Sequence, residues 1–287
     1  MTRTSLARTS TGALFLFGCW LAYTQSSGGQ PPKLTLNKVK DDLYEIEGDG
    51  GNVAVYLTSE GVILVDDKYE KDYKAILAAV KSVTRQHVKY VLSTHYHEDH
   101  SGGNARFFST AEIISTANAR TAIVEHKQPN ASPGMAPARV VFTEESAVFL
   151  GGKEVRARYY GRGHTNGDAI IYFPALRTIH TGDLMAGATP LIDYNGGGSL
   201  LEWTKTLDAA MKLDFDTVIP GHGPVTNKAG LLAYRNNVEK LRDRAAGLIR
   251  SGKSQEEVGK VMDAEFGWGP TSMQFQWSLP GMMRELK

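Results

Sequence analysis

The alternation of apolar and polar positions predicts strands in the first part of the chain. The segment GVILVDD at 61–67 is nearly all apolar, as in a strand buried on both faces. Three further strands are predicted before it, at 34–39, 43–47 and 52–58. A helix follows, with one apolar face made of Tyr73, Ile76, Leu77 and Val80. The segment VKYVLST at 88–94 then returns to a strand.

Further along the chain, predicted strands continue through the middle and helices follow towards the carboxyl terminus. A weaker helix is predicted near 116–126, and strands resume at 140–142, 147–150, 154–160, 169–173 and 177–181. The segment 217–225 is predicted to be a strand that enters a turn. Ser199 and Ser254 each precede a glutamate by three positions, which predicts two capping boxes. One apolar stripe at helical spacing predicts a long helix: Leu231, Tyr234, Val238, Leu241, Ala245 and Leu248. We expect the apolar tail at 266–283 to pack back onto the domain, with a partner surface as the alternative.

The amino terminus has a pattern of its own. Arg3 and Arg8 precede the apolar run ALFLFGCWLA at 13–22, and a polar segment follows. This order is typical of an export signal, and the run is short for a membrane span. We therefore interpret residues 1–30 as a signal peptide or membrane anchor with a linker, and residues 31–287 as one domain. The protein is expected to be exported, periplasmic or extracellular, and lipid-anchored if the LFGC segment is a lipoprotein box.

Composition narrows the possible functions. The 287 residues are 41% hydrophobic and carry a formal net charge of +1, which argues against a nucleic-acid-binding surface and a polybasic membrane patch. Cys19, the one cysteine, lies in the amino-terminal segment. Neither a disulfide nor a catalytic thiolate is therefore expected in the domain. We expect a small-molecule substrate, no nucleic-acid partner, and membrane contact only through the amino-terminal anchor.

Candidate metal ligands crowd the segment that follows the strand at 88–94. It reads HYHEDH at 95–100, and imidazole and carboxylate are good ligands for zinc and similar ions. His95 and His97 alternate along an extended segment, so their side chains point the same way and can hold one ion. Asp99 and His100 follow at the turn and can reach a second ion. Asp99 is also the predicted catalytic residue.

Three later segments supply the remaining ligands, each after a predicted strand and beside a glycine. They contain His164, Asp183 and His222. Glycine lets the backbone approach a crowded site closely. The sequence therefore predicts a site for two ions. His95, His97 and His164 would hold the first, Asp99, His100 and His222 the second, and Asp183 would lie between them.

This set of seven, in this order, resembles the metallo-β-lactamase superfamily. The similarity covers about residues 40–226. It implies an α/β fold, the four-layer αββα sandwich, to which the carboxyl-terminal helices are an extension. Asp66 resembles the buried aspartate of that family, which orients a ligand histidine. Asp183 resembles the bridging aspartate of glyoxalase II and other general hydrolases of the superfamily, whereas true zinc β-lactamases often lack one.

The resemblance implies a zinc-dependent hydrolase. A hydroxide that bridges two Zn²⁺ ions would attack an ester, thioester or amide, including a β-lactam. Iron or manganese are alternative metals. The alternative functions are a β-lactamase proper and a non-heme iron oxidoreductase of the same fold, similar to persulfide dioxygenases. A third alternative, a metal-bearing binding protein without turnover, fits less well because Asp99 and both ligand sets are intact.

Neighbouring residues receive weaker assignments. Tyr96 and Glu98 could touch substrate, or Glu98 could be solvated. Asn166 and Asp168 could support the third ligand segment or form a turn. Asp193 and Tyr194 are expected to be solvated residues of the glycine-rich loop 186–199, with a position over the site as the alternative. The remaining histidines are expected at the surface or on strands, outside the site: His87, His126 and His180.

Overall fold

Two β-sheets lie face to face in the computed structural model, which describes residues 34–128, 131–132 and 135–287. Apolar side chains from the inner faces of both sheets form one cluster. In it the ring of Tyr56 meets the ring of Phe173 edge-on, with centroids 5.2 Å apart. Helices cover the outer face of each sheet. The predicted four-layer αββα sandwich is confirmed.

The first sheet has seven strands in chain order. They are β1 (Thr35–Lys40), β2 (Leu43–Glu47), β3 (Val53–Leu57), β4 (Val62–Val65), β5 (Val88–Leu92), β6 (Glu112–Thr116) and β7 (Val140–Phe142). Pairs from β1 to β4 are antiparallel and pairs from β4 to β7 are parallel. The helices between its strands are α1 (Tyr73–Val83), α2 (Glu98–Ser101), α3 (Asn104–Phe107) and α4 (Ala117–Val124), and α1 and α3 contribute to the apolar cluster on its outer face. Strand β6 was not predicted, because its sequence is short and it becomes a strand only by pairing with β5 and β7.

The second sheet has six strands in the order β13-β12-β11-β10-β9-β8. They are β8 (Glu145–Leu150), β9 (Lys153–Tyr159), β10 (Ala169–Phe173), β11 (Thr178–His180), β12 (Thr217–Ile219) and β13 (Thr226–Asn227). Only β11 and β12 pair in parallel. Loops at one edge of the two sheets follow β5, β9, β11 and β12, and these loops carry the predicted ligands.

The carboxyl-terminal extension packs on the outer face of the second sheet. Helix α5 (Leu200–Ala210) packs there as well, and the extension itself comprises α6 (Lys228–Arg250), α7 (Gln255–Phe266), a π-helical turn (Gln274–Ser278) and α8 (Leu279–Glu285). The capping box of α7 is complete, whereas at α5 the Ser199 hydroxyl caps the helix and the Glu202 carboxylate instead accepts from Arg162. Trp268, Leu279 and Met282 are fully buried, so the tail packs onto the domain as expected.

The described residues form one compact unit. None of their helices is long and apolar enough to cross a membrane. The predicted signal or anchor at residues 1–30 lies outside the described residues, so the boundary of the domain at residue 31 stays a prediction.

Candidate metal centre

The structure brings all seven predicted ligands together at one edge of the sandwich. His95 and His97 lie in the loop after β5, and Asp99 and His100 lie on α2. The loops after β9, β11 and β12 contribute the other three. The ligand atoms fall into three groups, each within 4.8 Å: His95 with His97 and His164, His95 with His100 and Asp183, and Asp99 with His100 and His222. The arrangement agrees with the predicted pairing of ligands, and their roles as ligands stay predictions.

The first trio faces inward with unprotonated nitrogens. His164 Nδ1 lies 2.6 Å from the Leu191 carbonyl, which can only accept, so this nitrogen donates and Nε2 keeps its lone pair. His97 Nε2 in the same way donates to the Asp193 carboxylate at 3.0 Å, which leaves the lone pair on Nδ1. The two inner nitrogens are 2.9 Å apart.

His95 and His100 are oriented through Asp66. The buried Asp66 carboxylate accepts from the Thr94 amide at 2.6 Å and from the Thr94 hydroxyl at 2.8 Å. Because that hydroxyl has donated its hydrogen, it accepts from His95 Nδ1 at 3.0 Å. Asp66 also accepts from His100 Nδ1 at 2.7 Å. Nε2 of both histidines therefore points into the site, and Asp66 orients two of the predicted ligands as expected.

These contacts test whether the site fits a metal ion. The inner nitrogens of His95 and His97 are 3.2 Å apart, and neither carries a hydrogen to share. Burial lowers the pKa of His164 to about 4 and that of His95 well below its ordinary value, with the other histidines adding to the shift for both. Lone pairs forced together in this way repel one another unless a cation lies between them. The donor set therefore fits a bound metal ion such as zinc.

The second half of the site also favours a positive charge. Burial opposes protonation of His100, yet the carboxylates of Asp183, Asp99 and Asp66 outweigh it and raise the His100 pKa well above its ordinary value. Asp183 Oδ1 lies 3.2 Å from His100 Nε2, and Asp183 Oδ2 lies 3.7 Å from His164 Nε2. Asp183 thus faces both halves of the site, as a ligand between two ions requires.

Small residues let the backbone close around the site. A Cβ on Gly51 would overlap the His100 ring, and one on Gly221 would overlap the Asp183 carboxylate. The buried Asn52 amide donates to the carbonyls of Pro220 at 3.0 Å and Gly223 at 2.8 Å. Asn52 therefore holds the turn that presents His222, a role that the sequence reading missed.

The expectation for Asp193 and Tyr194 was wrong. Asp193 is 4% exposed, and its carboxylate accepts from both His97 and the Tyr96 hydroxyl. Those two donors hold the Asp193 pKa at about 2 although burial would raise it. Tyr194 is half-buried and donates to Glu285 at 2.8 Å. Tyr96 is fully buried, which places it behind His97 rather than against substrate.

The remaining neighbours are structural. Asp168 is a buried turn former whose carboxylate accepts from the Thr165 amide at 2.9 Å, and burial raises its pKa to about 7. Asn166 accepts from the Tyr159 hydroxyl at 2.9 Å. His180 ends β11 and is not part of the three ligand groups, and it is buried, with Nε2 3.1 Å from the Asn52 carbonyl. The other two histidines outside the site are exposed: His87 and His126.

Comparison with known proteins decides the family. The family model of the metallo-beta-lactamase superfamily matches residues 46–222, more than half of the chain. The chain belongs to the metallo-β-lactamase superfamily. Among curated relatives it is 24% identical to a metallo-beta-lactamase type 2 of Elizabethkingia meningoseptica, over 68% of this chain and 81% of that protein. It is 27% identical to a metallo-beta-lactamase type 2 of Bacillus cereus, over 69% and 78%.

Solved structures support the same fold. A metallo-beta-lactamase from Pontibacter korlensis superimposes with a TM-score of 0.62 at 18% identity, covering 72% of this chain and 99% of that one. The predictions of the superfamily and of a hydrolase belonging to it are confirmed. The family match ends at residue 222, so the carboxyl-terminal extension from α6 onwards lies outside it.

Proposed function

We propose that this member of the superfamily is a zinc-dependent hydrolase of small molecules that cleaves an ester, thioester or amide bond. The observation that carries the proposal is the set of four oriented histidines, each with its outer nitrogen bonded and its inner nitrogen facing the site. Zinc bound there would lower the pKa of a water molecule towards neutrality and polarise the carbonyl of the substrate.

Asp99 is proposed as the residue that orients the attacking water. Its side chain is 21% exposed against 8% for Asp183, so Asp99 is the more open of the two to the cleft. The neighbouring His100 and His222 hold the Asp99 pKa at about 2 against the effect of burial. Asp99 is therefore a carboxylate at neutral pH, able to accept a hydrogen bond from water and keep its oxygen directed at the substrate.

A β-lactam is one candidate substrate within this class, because the curated relatives named above are metallo-beta-lactamases. The identity to these relatives is low, so the substrates of the general hydrolases of the superfamily are candidates of equal standing. A panel should therefore contain a chromogenic cephalosporin, a thioester, a lactone and a simple ester.

The test is hydrolysis of that panel by the zinc-loaded protein and by two variants. His95→Ala should lose on the order of 10³-fold in activity, since a metal ion supplies several kcal/mol of transition-state stabilisation. His87→Ala, at an exposed histidine outside the site, should behave as the wild type. Full activity in His95→Ala would contradict the proposal. One iron per chain in the native protein would favour the iron oxidoreductase instead.

Export is proposed as well. The support is the basic and apolar pattern of residues 3–22. Cell fractionation of the full chain, beside a chain lacking residues 2–30, tests it. The full chain should leave the cytoplasm and the shortened one should stay there; retention of both in the cytoplasm would refute export.

A further inference from the structure

The cleft above the ligands has a wall built by the tail of the chain. The cleft has a volume of about 300 Å³. Its floor includes Asp99, Asp183 and His222, and one side is formed by Met273, Gln274 and Trp277. We call Met273, Gln274 and Trp277 together the tail wall. Since the family match ends at residue 222, the tail wall belongs to this chain's own extension.

The tail wall presents apolar surface beside the reacting centre. The Trp277 ring lies edge-on to the His97 ring, with centroids 6.0 Å apart. Met273 is 54% exposed, and Leu191 continues the apolar surface on the neighbouring loop. A large apolar side chain left open beside a catalytic cleft gains free energy when a ligand covers it.

The tail wall is held firmly in place. The buried Ser278 hydroxyl donates to the Ile192 carbonyl at 3.0 Å and accepts from the Ile192 amide at 2.8 Å. A Cβ on Gly281 would overlap the Tyr194 ring, which shows how closely α8 approaches loop 186–199. The same loop carries Asp193, which holds His97. The tail wall and the metal centre therefore share one rigid support, and the wall is preformed for binding.

Among the lining residues that the structure describes, the cleft carries no lysine or arginine. Its uncharged polar lining residues include Tyr69, Gln128 and Thr189. The acidic groups of the cleft lie at its floor. A substrate with an anionic tail would find no cation on these walls to pair with, whereas a neutral apolar group would bury surface against Trp277 and Met273.

We propose that the tail wall binds the uncharged apolar or aromatic acyl group of the substrate, and that Trp277 and Met273 set specificity for it. The substrate class is thus a neutral carbonyl compound with an acyl chain of several carbons, such as a medium-chain ester, thioester or lactone. The proposal rests on the hydrolase function proposed above, because it places that acyl group beside the metal centre.

The first experiment measures kcat/KM for p-nitrophenyl esters from acetate to octanoate, with the zinc content of every variant checked. Wild type should gain about threefold for each added methylene until the cleft is filled. Trp277→Ala should lose at least about tenfold on octanoate and little on acetate. Gln276→Ala is the matched control, since Gln276 is exposed in the same turn and points its amide to the Thr271 carbonyl. An equal loss on both esters would overturn the proposal.

The second experiment needs no turnover. Methyl ketones from butanone to decanone keep the neutral carbonyl and the chain but cannot be hydrolysed. Their dissociation constants, from calorimetry, should fall with chain length in wild type and in Gln276→Ala, and should fall much less in Trp277→Ala. A slope unchanged by Trp277→Ala would overturn the proposal.

The two experiments separate the possible failures. If no ester is hydrolysed while ketone binding still depends on Trp277, the proposed chemistry is wrong and the apolar wall stands. If esters are hydrolysed with no preference for chain length, the proposed function stands and the wall proposal is wrong. A succinate half-ester that outperforms the neutral ester of equal length would also overturn the choice of an uncharged group.

Discussion

The floor and the tail wall of the same cleft are built in different ways. The floor draws four of its candidate ligands from one short segment, residues 94–103, in which the spacing itself carries the chemistry. The tail wall lies on a turn of ordinary composition, which the packing of α7 and α8 brings to the cleft. Chemistry that depends on residue type at fixed spacing is visible in a sequence. Chemistry that depends on where a helix docks is visible only in the structure.

Because they are built differently, the floor and the tail wall should respond differently to substitutions. The floor has almost no free volume, because the backbone of one loop lies against the ring of a ligand from another. The wall has an exposed side chain and a preformed but open surface. Substitutions in the floor should remove activity on every substrate, and substitutions that affect the wall should change which substrate is preferred.

Among substitutions outside the predicted ligands, the largest effect is expected from Gly51→Ala. The added methyl group would overlap the His100 ring, so either the ring or the loop must move. Overpacking of this kind costs about 1–3 kcal/mol of stability. Displacement of His100 should lower the activity on every ester by on the order of 10²-fold, because small misplacements at a reacting centre have effects of that size. Zinc content and kcat/KM measure the outcome.

Gly247→Ala is the matched control for that substitution. Gly247 lies within α6, where a Cβ would meet nothing within 4 Å. Alanine should stabilise the helix by up to about 1 kcal/mol and leave activity unchanged. Equal behaviour of the two alanine variants would show that the floor is looser than the structure indicates.

Most strands and long helices could be predicted from the sequence because their signals are local. The apolar run at 61–67 became β4, and the stripe from Leu231 became α6 with its apolar face buried. Strand β6 was missed because EIIST is short and only its neighbours β5 and β7 make it a strand. The sandwich itself came from the resemblance to a family rather than from periodicity.

The ligands could be predicted and their supports could not. The residue type and spacing of His95, His97 and His100 identify them as candidate ligands. Asp193 lies about a hundred positions from His97 in the sequence, in a loop of turn-forming residues. Nothing in DYNGGG distinguishes a buried acceptor from a solvated aspartate, since only the fold of loop 186–199 brings it to His97. The three glycines that follow Asn195 favoured the solvated interpretation, which the structure overturned.

An intermediate effect is expected from Asp193→Asn, at the support that the floor and the tail wall share. The asparagine amide has the size of the aspartate side chain but lacks its negative charge. It therefore cannot replace the carboxylate that accepts hydrogen bonds from both Tyr96 and His97. Loss of a partner that orients a ligand histidine typically lowers metal affinity or activity by about 10–100-fold. Zinc titration and kcat/KM should both show it, with the loss equal across short and long esters.

Asn195→Ala controls for a change in the same loop, because Asn195 is exposed and its amide contacts only the Lys127 carbonyl among the bonds described. It should retain wild-type zinc affinity. If Asp193→Asn also retained it, His97 would be held by packing rather than by the carboxylate.

The smallest effect on activity, and the most selective, is expected from Ser278→Ala. The variant leaves the Ile192 amide and carbonyl without their buried partner, at about 1–3 kcal/mol of stability. Ser254→Ala removes the cap of α7, at about 1 kcal/mol, far from the cleft. Both variants should unfold at lower denaturant concentration, but only Ser278→Ala loosens the tail wall. It should raise KM for octanoate about threefold, with kcat on acetate unchanged. A similar KM shift in Ser254→Ala would mean that global stability, rather than the docking of the wall, sets the preference for long acyl chains.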